Sequence, residues 1–199
     1  MTELLCQHKS KSGGICGDTY RLSVKGINPV RVLIFSSLVL TFLLLGCQRT
    51  VTVTNQLLCY PIDDMETLIY QPGMDLDRTE SFDGRGSLRI FTVDSTTFRL
   101  YEIDSINVEN THLTYQAKIK TKDLKGRVYL EMWCRFPGKG DFFSRNLQTP
   151  VNGTVDWVTE ETFFFLKPKE NPDNIKLNLV VAGSGTVWID DIRLLGTPL

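Results

Sequence analysis

The stretch Leu113-Thr114-Tyr115-Gln116-Ala117-Lys118-Ile119-Lys120-Thr121 decides the fold. Apolar side chains at 113, 115, 117 and 119 alternate with polar ones at 114, 116, 118 and 120. Successive residues of an extended chain point to opposite faces, so this period of two marks a strand with one buried side. Residues 174–182 repeat the pattern, with Ile175, Leu177, Leu179 and Val181 set against Lys176 and Asn178. Residues 86–93, 96–103, 127–136, 153–166 and 186–195 are further candidate strands, and no twelve-residue stretch carries a helical i, i+3, i+4, i+7 pattern. Asp83-Gly84, Asn152-Gly153 and Gly183-Ser184-Gly185 supply the positive φ of tight turns, while Pro168, Asn171-Pro172 and Asp173 mark a longer loop. Many short strands with regular turn signals predict an all-β antiparallel sandwich. Residues 137–150 are the least regular stretch inside it, and in an all-β scaffold such a segment is where function is expected.

Upstream the chain changes character. Residues 32–45 are almost wholly apolar, follow Arg21, Lys25 and Arg31, and close with Leu44-Leu45-Gly46-Cys47. A basic n-region, a short apolar run and a small residue before the cut site make a secretory signal. The ending resembles a bacterial lipobox, which implies cleavage after Gly46, lipidation of Cys47 and a protein held at the membrane of the cell envelope. An uncleaved anchor and a cleaved soluble form are the alternatives; the run falls short of the ~20 apolar residues that a spanning helix needs. Each reading exports the rest of the chain, divided as 1–46 signal or anchor, 47–56 tether and 57–199 sandwich domain.

Of the 22 basic and 23 acidic residues, five and two lie in 1–46, which leaves 17 against 21. This mildly acidic remainder lacks the basic surplus of a nucleic-acid binder. Cys59 and Cys134 remain once the leader cysteines and Cys47 are set aside. An exported compartment permits a disulfide between them, and the alternation Val128, Leu130, Met132, Cys134, Phe136 equally suits a buried free thiol.

The order of motifs then becomes informative. Gly86-Ser87-Leu88-Arg89-Ile90, the 113–121 strand, Val128-Tyr129-Leu130-Glu131-Met132-Trp133, Gly153-Thr154-Val155-Asp156-Trp157 and Gly185-Thr186-Val187-Trp188-Ile189-Asp190-Asp191-Ile192 together resemble the galactose-binding-like jelly roll of carbohydrate-binding modules. The resemblance runs from about Pro61 to Leu195. It implies a two-sheet antiparallel jelly roll and raises sugar binding, although fold alone does not settle function. It also implies a structural calcium ion held through Asp190, with Asp64 and Glu66 as partners; the alternative is that backbone amides satisfy Asp190.

Chemistry narrows the choice. His112 is the only histidine outside the leader; a triad needs an imidazole between a nucleophile and an orienting acid, whereas His112, beside Asn110 and Thr111 at the start of a strand, reads as a solvated strand-entry residue. A lone histidine argues against a His/Cys zinc site. A glycosidase needs only two facing carboxylates, and Glu131 with Asp156 or Glu102 could be nominated, yet the sequence singles out no pair. In 127–136 one side carries Val128, Leu130, Met132 and Cys134, the other Tyr129, Glu131, Trp133 and Arg135. Aromatic rings stack on the C–H face of a sugar while carboxylates, amides and guanidiniums bond its hydroxyls. Gln116, Asn178, Lys176 and Arg99 or Tyr101 would complete this surface if their strands are neighbours. Trp157 and Trp188 share the parity of apolar residues and read as core. The expected function is non-catalytic recognition of carbohydrate at a bacterial envelope. An adaptor domain that docks to another envelope protein is the alternative, and a glycoside hydrolase comes third.

Overall fold

The computed structural model describes residues 53–199; the 1–46 leader, Cys47 and most of the proposed tether lie outside the described residues. Eight strands follow in chain order: β1 (Asn55–Tyr60), β2 (Met74–Asp77), β3 (Ser87–Thr92), β4 (Thr96–Asp104), β5 (Thr111–Phe136), β6 (Gly140–Arg145), β7 (Val151–Leu166) and β8 (Asn174–Pro198). All pairings are antiparallel. β1 pairs with the end of β8, from Asn55↔Gly196 to Tyr60↔Ile192.

Two long strands organise everything else. β5 and β8 pair along their whole lengths, from Thr111↔Pro198 to Arg135↔Asn174. The alternation changes phase midway: Leu113, Tyr115, Ala117 and Ile119 are buried at odd positions, Val128, Leu130, Met132 and Cys134 at even ones. Gly126 and Gly183 face each other at this switch, and a Cβ on either would come within 2.1 Å of Ala182 O or 1.9 Å of Lys125 O. Only glycine lets the two backbones approach so closely at positive φ. Gly183-Ser184-Gly185 is therefore a kink inside one strand and not the hairpin turn its composition suggests. Asn152-Gly153 likewise sits within β7, where Gly153 opposes Leu124 at a register shift.

The kink divides the sheet into two layers. In the first, residues 111–122 of β5 and 186–198 of β8 are flanked by β7, β1, β3 and β2. In the second, residues 127–136 and 174–182 are flanked by β6 and β4. Leu113, Tyr115 and Ile119 from one layer share a single core with Leu130, Met132, Leu177 and Leu179 from the other. The described residues form the all-β antiparallel sandwich that the alternation predicts.

Two tryptophans depart from expectation. Trp188 is buried, yet it lies opposite Lys120 on the outer face. Its Nε1 donates to Asp77 Oδ2 at 2.9 Å, a bond that holds the Asp77 carboxyl well below the usual carboxylate range. Trp157 is half-buried, 6.2 Å edge-on from Phe82. Alternation identifies a face but not a loop that folds back over it.

Candidate ligand-binding groove

The outer face of the second layer is a grid set by register. One row runs Glu102, Lys176, Trp133, Phe143 across β4, β8, β5 and β6; the next runs Arg99, Asn178, Glu131, Arg145. Directly opposed residues stand about 4.5–5.5 Å apart at Cβ, so side chains scattered over eighty residues of sequence become one surface. Thr97, Arg99, Glu131, Trp133, Asp141, Lys176 and Asn178 line an open groove of about 410 Å³ here, within the size range of small-molecule sites.

Trp133 is the half-buried centre of this groove. Its indole Nε1 donates to Glu131 Oε1 at 2.7 Å, and its ring packs on Phe143 at 4.9 Å between centroids. Glu131 is buried. The same Oε1 accepts Asn178 Nδ2 at 3.2 Å, while Oε2 lies 3.6 Å from Arg145 Nε. A buried carboxylate is tolerated only when paired and hydrogen-bonded, and these three partners meet that condition. The carboxylate is thereby committed to holding the indole.

Not every polar group at this surface is paired. Lys176 makes no ion pair among the described residues, and Asn178 Oδ1 is buried without a hydrogen-bond partner. Arg99 is tied at 3.3 Å to Glu102, which also accepts Asn174 Nδ2 at 3.0 Å. Asp141 and Phe143 come from β6, a strand inside the 137–150 stretch that the sequence marks as irregular.

Not every expected residue arrives. Trp133, Glu131 and Asn178 line the groove, and Lys176 and Arg99 complete it. Tyr129 shares the face but is buried beside Val180 at one end of it, and Arg135 lies at the other end, beyond Trp133, in an ion pair with Asp173 at 2.8 Å. Gln116 belongs to the other layer, opposite Arg193 and Glu161, because the kink separates it from Glu131. Tyr101 turns into the core and stacks on Tyr60 at 3.8 Å, since a bulge after Arg99 shifts the register of β4. Asp156, a nominated carboxylate, pairs with Lys120 in the first layer at 3.4 Å.

At the proposed metal position, Asp190 is buried and accepts backbone amides of Phe82 at 2.9 Å and Asp191 at 2.7 Å, with a further one from Ile62. Burial pushes its carboxyl up, and these amide bonds oppose that shift. Asp191 takes φ 48° in the bulge that follows. Asp64 accepts the amide of Glu66 at 2.9 Å in a local turn, and among the described residues no three His, Cys, Asp or Glu side chains converge. Cys59 is exposed and Cys134 buried, both as free thiols.

No protein-family model matches the sequence, and no curated protein does. Solved structures do match in fold. The CBM22-1 xylan-binding domain from Paenibacillus barcinonensis Xyn10C superposes with TM-score 0.55 at 11% identity, covering 75% of this chain and 99% of that one. A Family 16 Carbohydrate Binding Module-2 gives 0.50 at 13%, covering 70% and 99%. The CBM22-2 xylan-binding domain of the same Xyn10C gives 0.50 at 8%, covering 72% and 99%. At these identities the likeness is one of architecture, and the domain has the β-sandwich fold of these carbohydrate-binding modules.

Proposed function

We propose that the domain binds carbohydrate in the Trp133 groove without cleaving it. The observation that carries this reading is the Trp133–Glu131–Asn178 network. A ring fixed before the ligand arrives loses little entropy when a sugar stacks on it, and Lys176, Arg99, Thr97 and Asp141 around it offer donors and acceptors for hydroxyls. Glu131 is engaged by Trp133, Asn178 and Arg145, and Glu102 by Arg99 and Asn174. Both facts favour recognition over hydrolysis. The half-exposed indole in an open groove favours a ligand of this kind over the flat apolar patch expected of an adaptor for another envelope protein.

We further propose that this activity sits at a bacterial membrane with a lipid on Cys47 as the anchor, a reading supported by the apolar run at 32–45 and the Leu-Leu-Gly-Cys ending at 44–47. The deciding experiment is a glycan array probed with the full chain and with Trp133→Ala. Glycan signals that the substitution abolishes support the proposal, and a folded chain that binds nothing on the array overturns it. Incorporation of labelled palmitate, abolished by Cys47→Ala, tests the anchor separately.

A further inference from the structure

On the outer face of the first layer, where β5 starts and β7 and β8 end, three aromatic side chains stand together. His112 stacks on Phe165 at 4.6 Å with 9° between planes, and Phe163 meets both rings edge-on at 4.9 and 5.5 Å. Phe163 is 45% and Phe165 57% exposed. Register places this cluster beside both chain ends of the domain. His112 opposes Phe165 on one side and Thr197 on the other. Thr197 Oγ1 bonds Thr54 Oγ1 at 2.8 Å, and the amide of Leu199 donates to Asn110 O at 3.1 Å. Val53 and Leu199, at this same end, are also exposed.

The chain outside the described residues joins the domain here. Six peptide steps separate Cys47 from Val53, an extended reach of at most about 20 Å. If Cys47 is lipidated, this end of the sandwich cannot leave the bilayer surface by more than that distance. Contiguous exposed apolar patches mark sites of contact with a protein, a ligand or a membrane, and of these the membrane is the one that a lipid on Cys47 would hold within reach of this end. Exposed Lys167 and Lys169 adjoin the patch, but Glu109 and Glu170 stand at the same end. The local charge is therefore balanced, and attraction to anionic lipid is not what the surface offers.

We propose that the Phe163, Phe165 and His112 cluster rests on the lipid bilayer itself, partitioning through its rings rather than its charge. The inference depends on the anchor reading above. Aromatic contact of this kind persists on zwitterionic phosphatidylcholine and survives high salt, because screening weakens charge attraction and leaves apolar burial intact.

The test uses the full chain carrying Phe165→Trp, reconstituted into phosphatidylcholine vesicles with and without brominated acyl chains. Flotation of the protein with vesicles reports the anchor; quenching reports the patch. Loss of the added tryptophan emission in brominated vesicles, undiminished at high salt, is the expected result. Flotation without quenching overturns the lipid contact and leaves the anchor standing, whereas a chain that does not float overturns both. A cross-linked dimer with no quenching assigns the patch to a second copy and overturns the proposal. Should the tryptophan prevent folding, hydroxyl-radical oxidation of the unsubstituted chain reads the same contact. Phe163 and Phe165 are then expected to be protected in vesicles relative to Phe91, which is 54% exposed near the kink; equal oxidation of all three overturns the contact.

Discussion

Replacing Glu131 by alanine removes the acceptor for two hydrogen bonds, from Trp133 Nε1 at 2.7 Å and Asn178 Nδ2 at 3.2 Å. Bonds to a charged acceptor contribute about 1.5–3 kcal/mol each. Asn178 Oδ1 already lacks a partner, so the alanine variant leaves that buried amide unpaired at both ends. The Arg145 contact at 3.6 Å, with a partly exposed guanidinium, adds little. A loss of about 3–5 kcal/mol is expected for Glu131→Ala, and about 1–2 kcal/mol for Glu131→Gln, which keeps an acceptor oxygen. Urea denaturation at constant m-value measures both. Ligand affinity adds a second reading: with Trp133 no longer held, Glu131→Ala weakens binding, and Glu131→Gln retains most of it. An alanine variant within about 0.5 kcal/mol of the parent, the range of ordinary surface substitutions, refutes the network as the groove's foundation.

Three further outcomes follow from buried groups and the kink. Burial, with Glu161 adjacent, pushes the Glu160 carboxyl from 4.5 up to about 7. Folding thus favours its protonated form: stability is full below about pH 4.5 and declines as pH rises to about 7. Because Glu160→Gln cannot ionise, its advantage over the parent grows across that window by up to about 3 kcal/mol, and a pH-independent difference between the two denaturation curves contradicts this. Gly183→Ala drives a methyl to 1.9 Å from Lys125 O at the kink, whereas Gly138→Ala enters open space and meets only the left-handed penalty of about 1–2 kcal/mol; equal thermal midpoints for these variants disprove the close-approach argument. Burial pushes the Cys134 thiol up to about 12, so a thiol reagent modifies Cys59 in the native protein and Cys134 only after unfolding, and fast native modification at both sites contradicts the described packing.

Much of the architecture was legible in local pattern. Alternation at 113–119 and 175–181 gave the two strands that carry the sheet, and the parity of 127–136 set Trp133 and Glu131 on one outer face. Within the irregular 137–150 stretch, β6 brings Asp141 to the groove and packs Phe143 on Trp133. What local pattern omits is pairing at long range. Gln116 and Glu131 lie on one continuous strand, yet the Gly126 and Gly183 kink sends them to different layers. Tyr101 shares the parity of Arg99, but the bulge between them inverts its direction. Trp188 is buried by residues more than a hundred positions earlier, through Asp77, and no spacing within its strand reports that cover.

The most direct measurement is a calorimetric titration of the full chain with whichever oligosaccharide the array identifies, set beside Trp133→Ala and Phe165→Ser. Abolished binding in the first variant and unchanged binding in the second, with both folded, is the expected result. Undiminished affinity in folded Trp133→Ala would contradict the assignment of the groove as the carbohydrate site.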